Sequence, residues 1–174
     1  MEHDDARTIP DPGFADDSGE ADPALAEVLV AYAAGTASSG QVLATLQDRR
    51  LLVPVVAILG EVEVDDQGLA HDKSSDMAAV LVQSSGGRTG LLAFTSTATM
   101  SGWDPEARPV PVSAATAATA AVQDGAAALL VDLAGPAPYV VEGDDLTRLA
   151  AGWRLVAIGE QPGDGYGWIG SSAE

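Results

Sequence analysis

Residues 71 to 77, His71-Asp72-Lys73-Ser74-Ser75-Asp76-Met77, bring together side chains that can do chemistry. Lys73 is the sole lysine of a chain with 26 Asp plus Glu against eight Lys plus Arg. An ammonium so isolated among acids can hold an anion, pair with Asp72 or Asp76, or serve as base to a Ser74 or Ser75 nucleophile. The same residues also make a polar turn leading into a hairpin, with Ser75 or Asp76 bonded to nearby backbone. The second such stretch is Trp103-Asp104-Pro105-Glu106-Ala107-Arg108-Pro109-Val110-Pro111. A tryptophan before a rigid proline loop covers the edge of a core. Alternatively, Trp103, Asp104 and Arg108 form a contact surface of the aromatic and arginine type that concentrates at interfaces.

Established catalytic templates are not met. No GxxxxGK[ST] loop cradles a phosphate, no GxSxG elbow presents a serine, and Ala70 stands where an SxxK motif ending at Lys73 needs serine. A calcium loop through Glu61, Glu63 and Asp65 would need glycine where Asp66 stands and glutamate where Asp72 stands. Adjacent acids such as Asp144-Asp145 follow from acid abundance rather than from a catalytic pair. The chain has no cysteine and two histidines, His3 and His71. No catalytic residue, metal or cofactor is therefore expected. The net charge of −18 argues against nucleic acid, which needs a basic surface, and against an anionic bilayer.

Residues 1–22 carry eight acids against Arg7, a net −7 that leaves −11 for the remainder. Pro10, Pro12 and Gly13 interrupt any helix there, so a disordered acidic tail is expected. This start has neither a basic nor an apolar stretch, and the longest apolar run, Leu51–Leu59, is far short of the roughly 20 residues of a membrane helix. A cytoplasmic location is expected.

The elements that must position these residues follow in order. Asp22-Pro23 caps a helix bearing Leu25, Val28, Leu29 and Tyr32 on one face. A second helix starts after Ser39 and ends at Asp48-Arg49-Arg50, with the cations at the negative end of its dipole. Leu51–Leu59 reads as a buried strand, with Pro54 at its start or on an edge. Ala78–Val82 and Leu91–Phe94 flank Ser84-Ser85-Gly86-Gly87-Arg88 as a hairpin. Ser96 or Thr97 caps a short helix to Trp103, and Ser113 caps an alanine-rich one to Gln123. Strands at Ala128–Val131 and Tyr139–Val141 and a helix from Asp144 or Asp145 to Leu149 complete the set. This is a single α+β domain, residues 23–152, with a mixed sheet and a central hairpin packed by several helices. Residues 153–174 read as a glycine-rich tail, in which Trp153, Leu155, Val156 and Ile158 offer one further strand.

These stretches resemble the SseB N-terminal domain family from about Leu52 to Trp153. The resemblance rests on VPVVAIL at Val53–Leu59, KSSDMAAV at Lys73–Val80, LLAFTS at Leu91–Ser96 and WDPEARPVPV at Trp103–Val112. AALLVDLAGP at Ala127–Pro136 and VVEG at Val140–Gly143 continue it. It implies a cytoplasmic α+β domain with Lys73–Met77 and Trp103–Pro111 as family hallmarks. The family is named for a serine-sensitivity phenotype in bacteria, and it brings no catalytic residues to this chain.

Two functions follow as expectations. One is a non-enzymatic binding or regulatory module that takes a basic protein partner, steered by the acidic surface. The other is a metabolite-binding protein or small enzyme that uses the Lys73-Ser74-Ser75-Asp76 loop on an anionic or amino-acid-like ligand. That second reading needs Arg108 to converge with the loop.

Overall fold

The computed structural model of the chain describes residues 13–58, 76–161 and 165–170. Two helices lead. Helix α1, Pro23–Ala33, is capped by Asp22, whose carboxylate accepts Leu25 N at 3.0 Å. Helix α2, Ser39–Leu46, opens on a reciprocal capping box between Ser38 and Gln41. Their buried faces are Leu25 and Leu29, then Val42, Leu43 and Leu46. The expected cationic end of α2 is not formed, because the helix closes at Leu46 and Arg50 already begins the next strand. Both arginines turn instead to carboxylates upstream of α1.

Strand β1, Arg50–Ile58, is the middle strand of an antiparallel sheet between β2, Asp76–Ala79, and β5, Arg108–Ser113. Pro54 therefore sits within a central strand, contrary to the expected start or edge. The register explains the tolerance. Leu52 exchanges both of its backbone bonds with Phe94, each at 2.8 Å, so its polar groups face away from β5. Antiparallel pairs alternate between bonded and non-bonded, so Leu52–Pro111 and Pro54–Pro109 are both non-bonded on the β5 side. On its other side Pro54 lies one residue beyond the end of the β2 pairing at Val55–Ala79. Pro109 and Pro111 thus occupy phases at which the ladder asks for no donor, and Pro54 directs its nitrogen to the side on which the β2 pairing has already ended.

A second, mixed sheet has the order β3-β4-β6-β7, with β3 Leu81–Gln83, β4 Thr89–Ala93, β6 Ala128–Val131 and β7 Tyr139–Glu142. The β4–β6 pair is parallel and the other two are antiparallel. The expected central hairpin is present as β3–β4. Its first arm differs, because the chain leaves β1 after Ala79 and joins β4 at Leu81. Between them Val80 O accepts Leu92 N at 3.1 Å.

The sheet buries both faces to different depths. Leu91, Ala93, Leu129, Val131, Tyr139 and Val141 meet α1, α2, α4 (Ala114–Gln123) and α5 (Gly143–Ala150) in the main core. The opposite face carries a smaller cluster of Leu52, Leu92, Phe94 and Met100, the last from α3, Thr97–Trp103.

Both chain ends of the described structure pack on this body. Within the expected tail 1–22, residues 13–22 are docked: Gly19 is buried, and its carbonyl accepts Thr97 N at 2.8 Å. Charge pairing with Arg49 and Arg50 supplies what apolar burial does not. Within the expected tail 153–174, β8, Arg154–Ala157, and β9, Tyr166–Ile169, pair as an antiparallel hairpin. Gln47 exchanges two 2.8 Å bonds with the Leu155 backbone, like a one-residue strand. Trp168 Nε1 donates to Asp145 at 2.9 Å. Tyr166 lies on Gly40, where a Cβ would overlap its ring.

Candidate functional site

Lys73, Ser74 and Ser75 lie outside the described residues, as do His3 and His71. The backbone of Asp76 opens β2 opposite Ile58. Trp103 closes α3, half-buried, and stacks on Phe94 with centroids 5.7 Å apart. It thus covers the edge of the smaller cluster. Asp104 Oδ1 accepts Glu106 N at 2.9 Å and shapes the turn that follows. Arg108 is exposed on β5 opposite Val55. Side chains alternate along a strand, so Arg108 falls on the face of Val53 and Leu51, the main-core side. Trp103 packs with Leu52 on the other side. The structure does not gather Trp103 and Arg108 into one surface.

What it does gather is an open apolar groove of about 300 Å³ on the outer face of the four-stranded sheet. Val82, Gly90, Leu130 and Val140 form its floor and Leu133 closes one end. Leu133 and Val140 are 42% and 43% exposed. A Cβ on Gly90 would stand 2.6 Å from Leu130 Cδ1, so glycine there keeps the floor flat. At the rim Arg88 Nη2 pairs with Glu142 Oε2 at 2.6 Å, leaving the groove with no net charge. The same face continues through Val80, Val82 and Leu130 to Trp103 and Ala107. Sequence reasoning placed these strands but not this surface. The alternation Tyr139, Val140, Val141, Glu142, in which Val140 and Glu142 point outward, was the available signal.

A second constellation runs through the interior beside β1. Arg50 donates from Nε and Nη2 to the two oxygens of Asp17, the latter at 2.8 Å, and from Nη1 to Thr95 O at 2.7 Å. Thr95 donates its N–H and hydroxyl to the buried Asp132 carboxylate at 2.9 and 2.7 Å. Asp132 holds a positive φ of 51° to reach it. Burial pushes the Asp17 carboxyl up, but the hydrogen bonds from Arg50 and Gly19 and the Arg50 charge together hold it below its ordinary value. Among the described residues no group of His, Cys, Asp and Glu is placed to hold a metal ion.

An α+β domain with one closed core and an apolar groove on the opposite face of its four-stranded sheet defines the class. A model of the SseB protein N-terminal domain matches residues 25–148, most of the chain, and the protein belongs to the SseB family. The match starts earlier than Leu52, taking in α1 and α2, and ends short of β8. No curated protein and no solved structure matches the chain. Among the described residues no helix is long and apolar enough to cross a membrane.

Proposed function

We propose that this protein is a non-enzymatic cytoplasmic binding module that holds a segment of a partner protein in the groove over β4, β6 and β7. The observation that carries this reading is the apolar groove of Val82, Leu130, Leu133 and Val140 within the family-matched region, which no described residue covers. Exposed apolar surface of this kind marks an interaction site. The groove is shallow, and Arg88 and Glu142 neutralise each other at its rim. That suits an apolar side-chain anchor better than a reacting small molecule. A net charge of −18 favours basic residues flanking the anchor, through faster encounter.

The test is capture from native lysate with quantitative mass spectrometry, comparing wild type with Val140→Glu. Val140 is exposed, so the fold is retained, as circular dichroism checks. The expected result is a partner depleted about 10-fold by the substitution, with association slowed by added salt. Capture unaffected by Val140→Glu would overturn the groove as the contact. A Lys73→Ala/Asp76→Ala variant run alongside would then show whether the contact lies in that loop.

A further inference from the structure

The ten residues before α1 are seated as a ligand would be. Phe14 lines a hollow of about 200 Å³ together with Leu52, Pro109 and Pro111. Three residues on, Asp17 takes Arg50 in a two-point carboxylate–guanidinium clamp. Arg50 Nη2 also donates to Glu20 O at 2.8 Å, and Arg49 Nε lies 3.0 Å from Asp22 Oδ1. Gly19 O accepts both Thr97 N and Thr97 Oγ1, at 2.8 and 3.2 Å.

The receiving residues and the seated ones have different origins in the chain. Arg49, Arg50, Leu52, Thr97, Pro109 and Pro111 all lie within the family-matched region 25–148, whereas Phe14, Asp17, Gly19 and Asp22 all precede it. Two of the chain's seven arginines, adjacent at the start of β1, therefore find their carboxylates outside the family domain. The strap carries only one large apolar side chain, Phe14, so polar pairing dominates its hold.

We propose that Arg49, Arg50 and the strip Leu52–Pro109–Pro111 are a binding site for an acidic segment of a partner protein, with an aromatic residue three positions before an aspartate. The chain's own strap, Phe14–Asp22, occupies this site in the manner of a tethered competitor. The site is separate from the sheet groove and stands whether or not that groove binds anything. A partner segment reaches it by displacing the strap, and the strap pivots at the Asp22-Pro23 cap of α1.

The test uses the full chain with Asp17→Asn/Asp22→Asn. Both carboxamides can still accept the Gly19 and Leu25 amide bonds while losing the charge. The probe is a fluorescein-labelled peptide of residues 11–24, followed by anisotropy at low salt, with amide exchange reporting strap release. The expected result is binding about 10-fold tighter to the variant than to wild type, lost on adding Arg50→Gln. Binding is expected to be lost equally when the peptide carries Phe14→Ala or Asp17→Asn, which needs no change in the protein. Equal affinity of a scrambled peptide would reduce the effect to bulk charge and overturn the site. So would failure of the released variant to bind the peptide. Strap amides that stay protected in the variant would also overturn it, because the arginine–carboxylate pairs would then not be what holds the strap.

Discussion

Arg50 joins three separate parts of the chain through one planar group. Its donors reach the strap at Asp17 and Glu20, and Thr95 two residues beyond β4, whose own donors close on Asp132. The Asp17–Arg50 pair is largely shielded, with side chains 14% and 12% exposed, unlike the open Arg88–Glu142 pair. Titration follows from this. Asp17 is held below its ordinary 3.8 against the pull of burial. Asp22 is held below it by the Leu25 amide first and Arg49 second, and Asp48 by its hydrogen bonds with Arg154. A carboxylate with a lowered folded pKa contributes stability that is complete above 3.8 and disappears as pH falls through the folded value. Asp17→Asn is therefore expected to lower urea stability by about 1 to 2 kcal/mol at neutral pH. That gap should close on acidification below the ordinary carboxylate range. A gap that persists in acid would show that Asp17 acts by shape rather than by charge.

The instructive element is β5. Its prolines 109 and 111 face their missing donors outward, since their partners Pro54 and Leu52 are non-bonded pairs. The strand stands last in the order β2-β1-β5, and its outer side offers carbonyls where an added strand would look for alternating donors. Proline thus guards an otherwise flat terminal strand. Pro109→Thr/Pro111→Val restores two outward N–H groups with residues that favour strands. The double variant should keep its circular dichroism and associate at concentrations where wild type does not, as sedimentation velocity would record. Unchanged sedimentation would remove edge protection as the role of these prolines. The β8–β9 hairpin teaches a related lesson. It is held by side chains of other elements, Gln47, Asp48 and Asp145, more than by its own glycine-rich composition.

Across the whole molecule the dominant quantity is charge. Eight cations cannot pair 26 acids one to one, so the charge balance of the chain is dominated by mutual repulsion among carboxylates. Salt screens both the repulsion and the attractive pairs, but the repulsive set is far larger. Raising sodium chloride to about 1 M, where the Debye length is about 3 Å, should therefore raise the melting temperature by several degrees at neutral pH. A fall would mean that the strap and hairpin ion pairs outweigh the general repulsion. The same excess of acid argues that a partner of the groove carries basic flanks. It also explains why an acidic strap must be clamped by the local arginine pair rather than held by the surface at large.

Much of this molecule was legible in its residues. Asp22-Pro23, Ser96 or Thr97, and Ser113 marked helix starts, and Ser39 lay one residue past the Ser38 cap, because a cap is a local hydrogen bond between neighbours in sequence. Short apolar runs bounded by turn residues placed the strands, and the strings at Val53, Leu91 and Trp103 identified the family. Where the reading failed, the cause was non-local. Pro54 was assigned to a strand start or an edge because what spares it depends on its register with Pro109 and on the end of the β2 pairing at Ala79, both tens of residues away. Residues 13–22 and the glycine-rich stretch around Tyr166 and Trp168 looked like tails because their own apolar content is low. Their anchors, Arg50, Thr97, Gln47 and Asp145, belong to other elements. Trp103 and Arg108, five residues apart in sequence, ended on opposite sides of a sheet. The groove exists only because four strands from distant parts of the chain present their outward residues side by side. Local propensity and pattern determined the elements and the family from the sequence alone. Tertiary structure decided which faces were covered and which charges were paired, because both depend on partners the chain meets only after it folds back on itself.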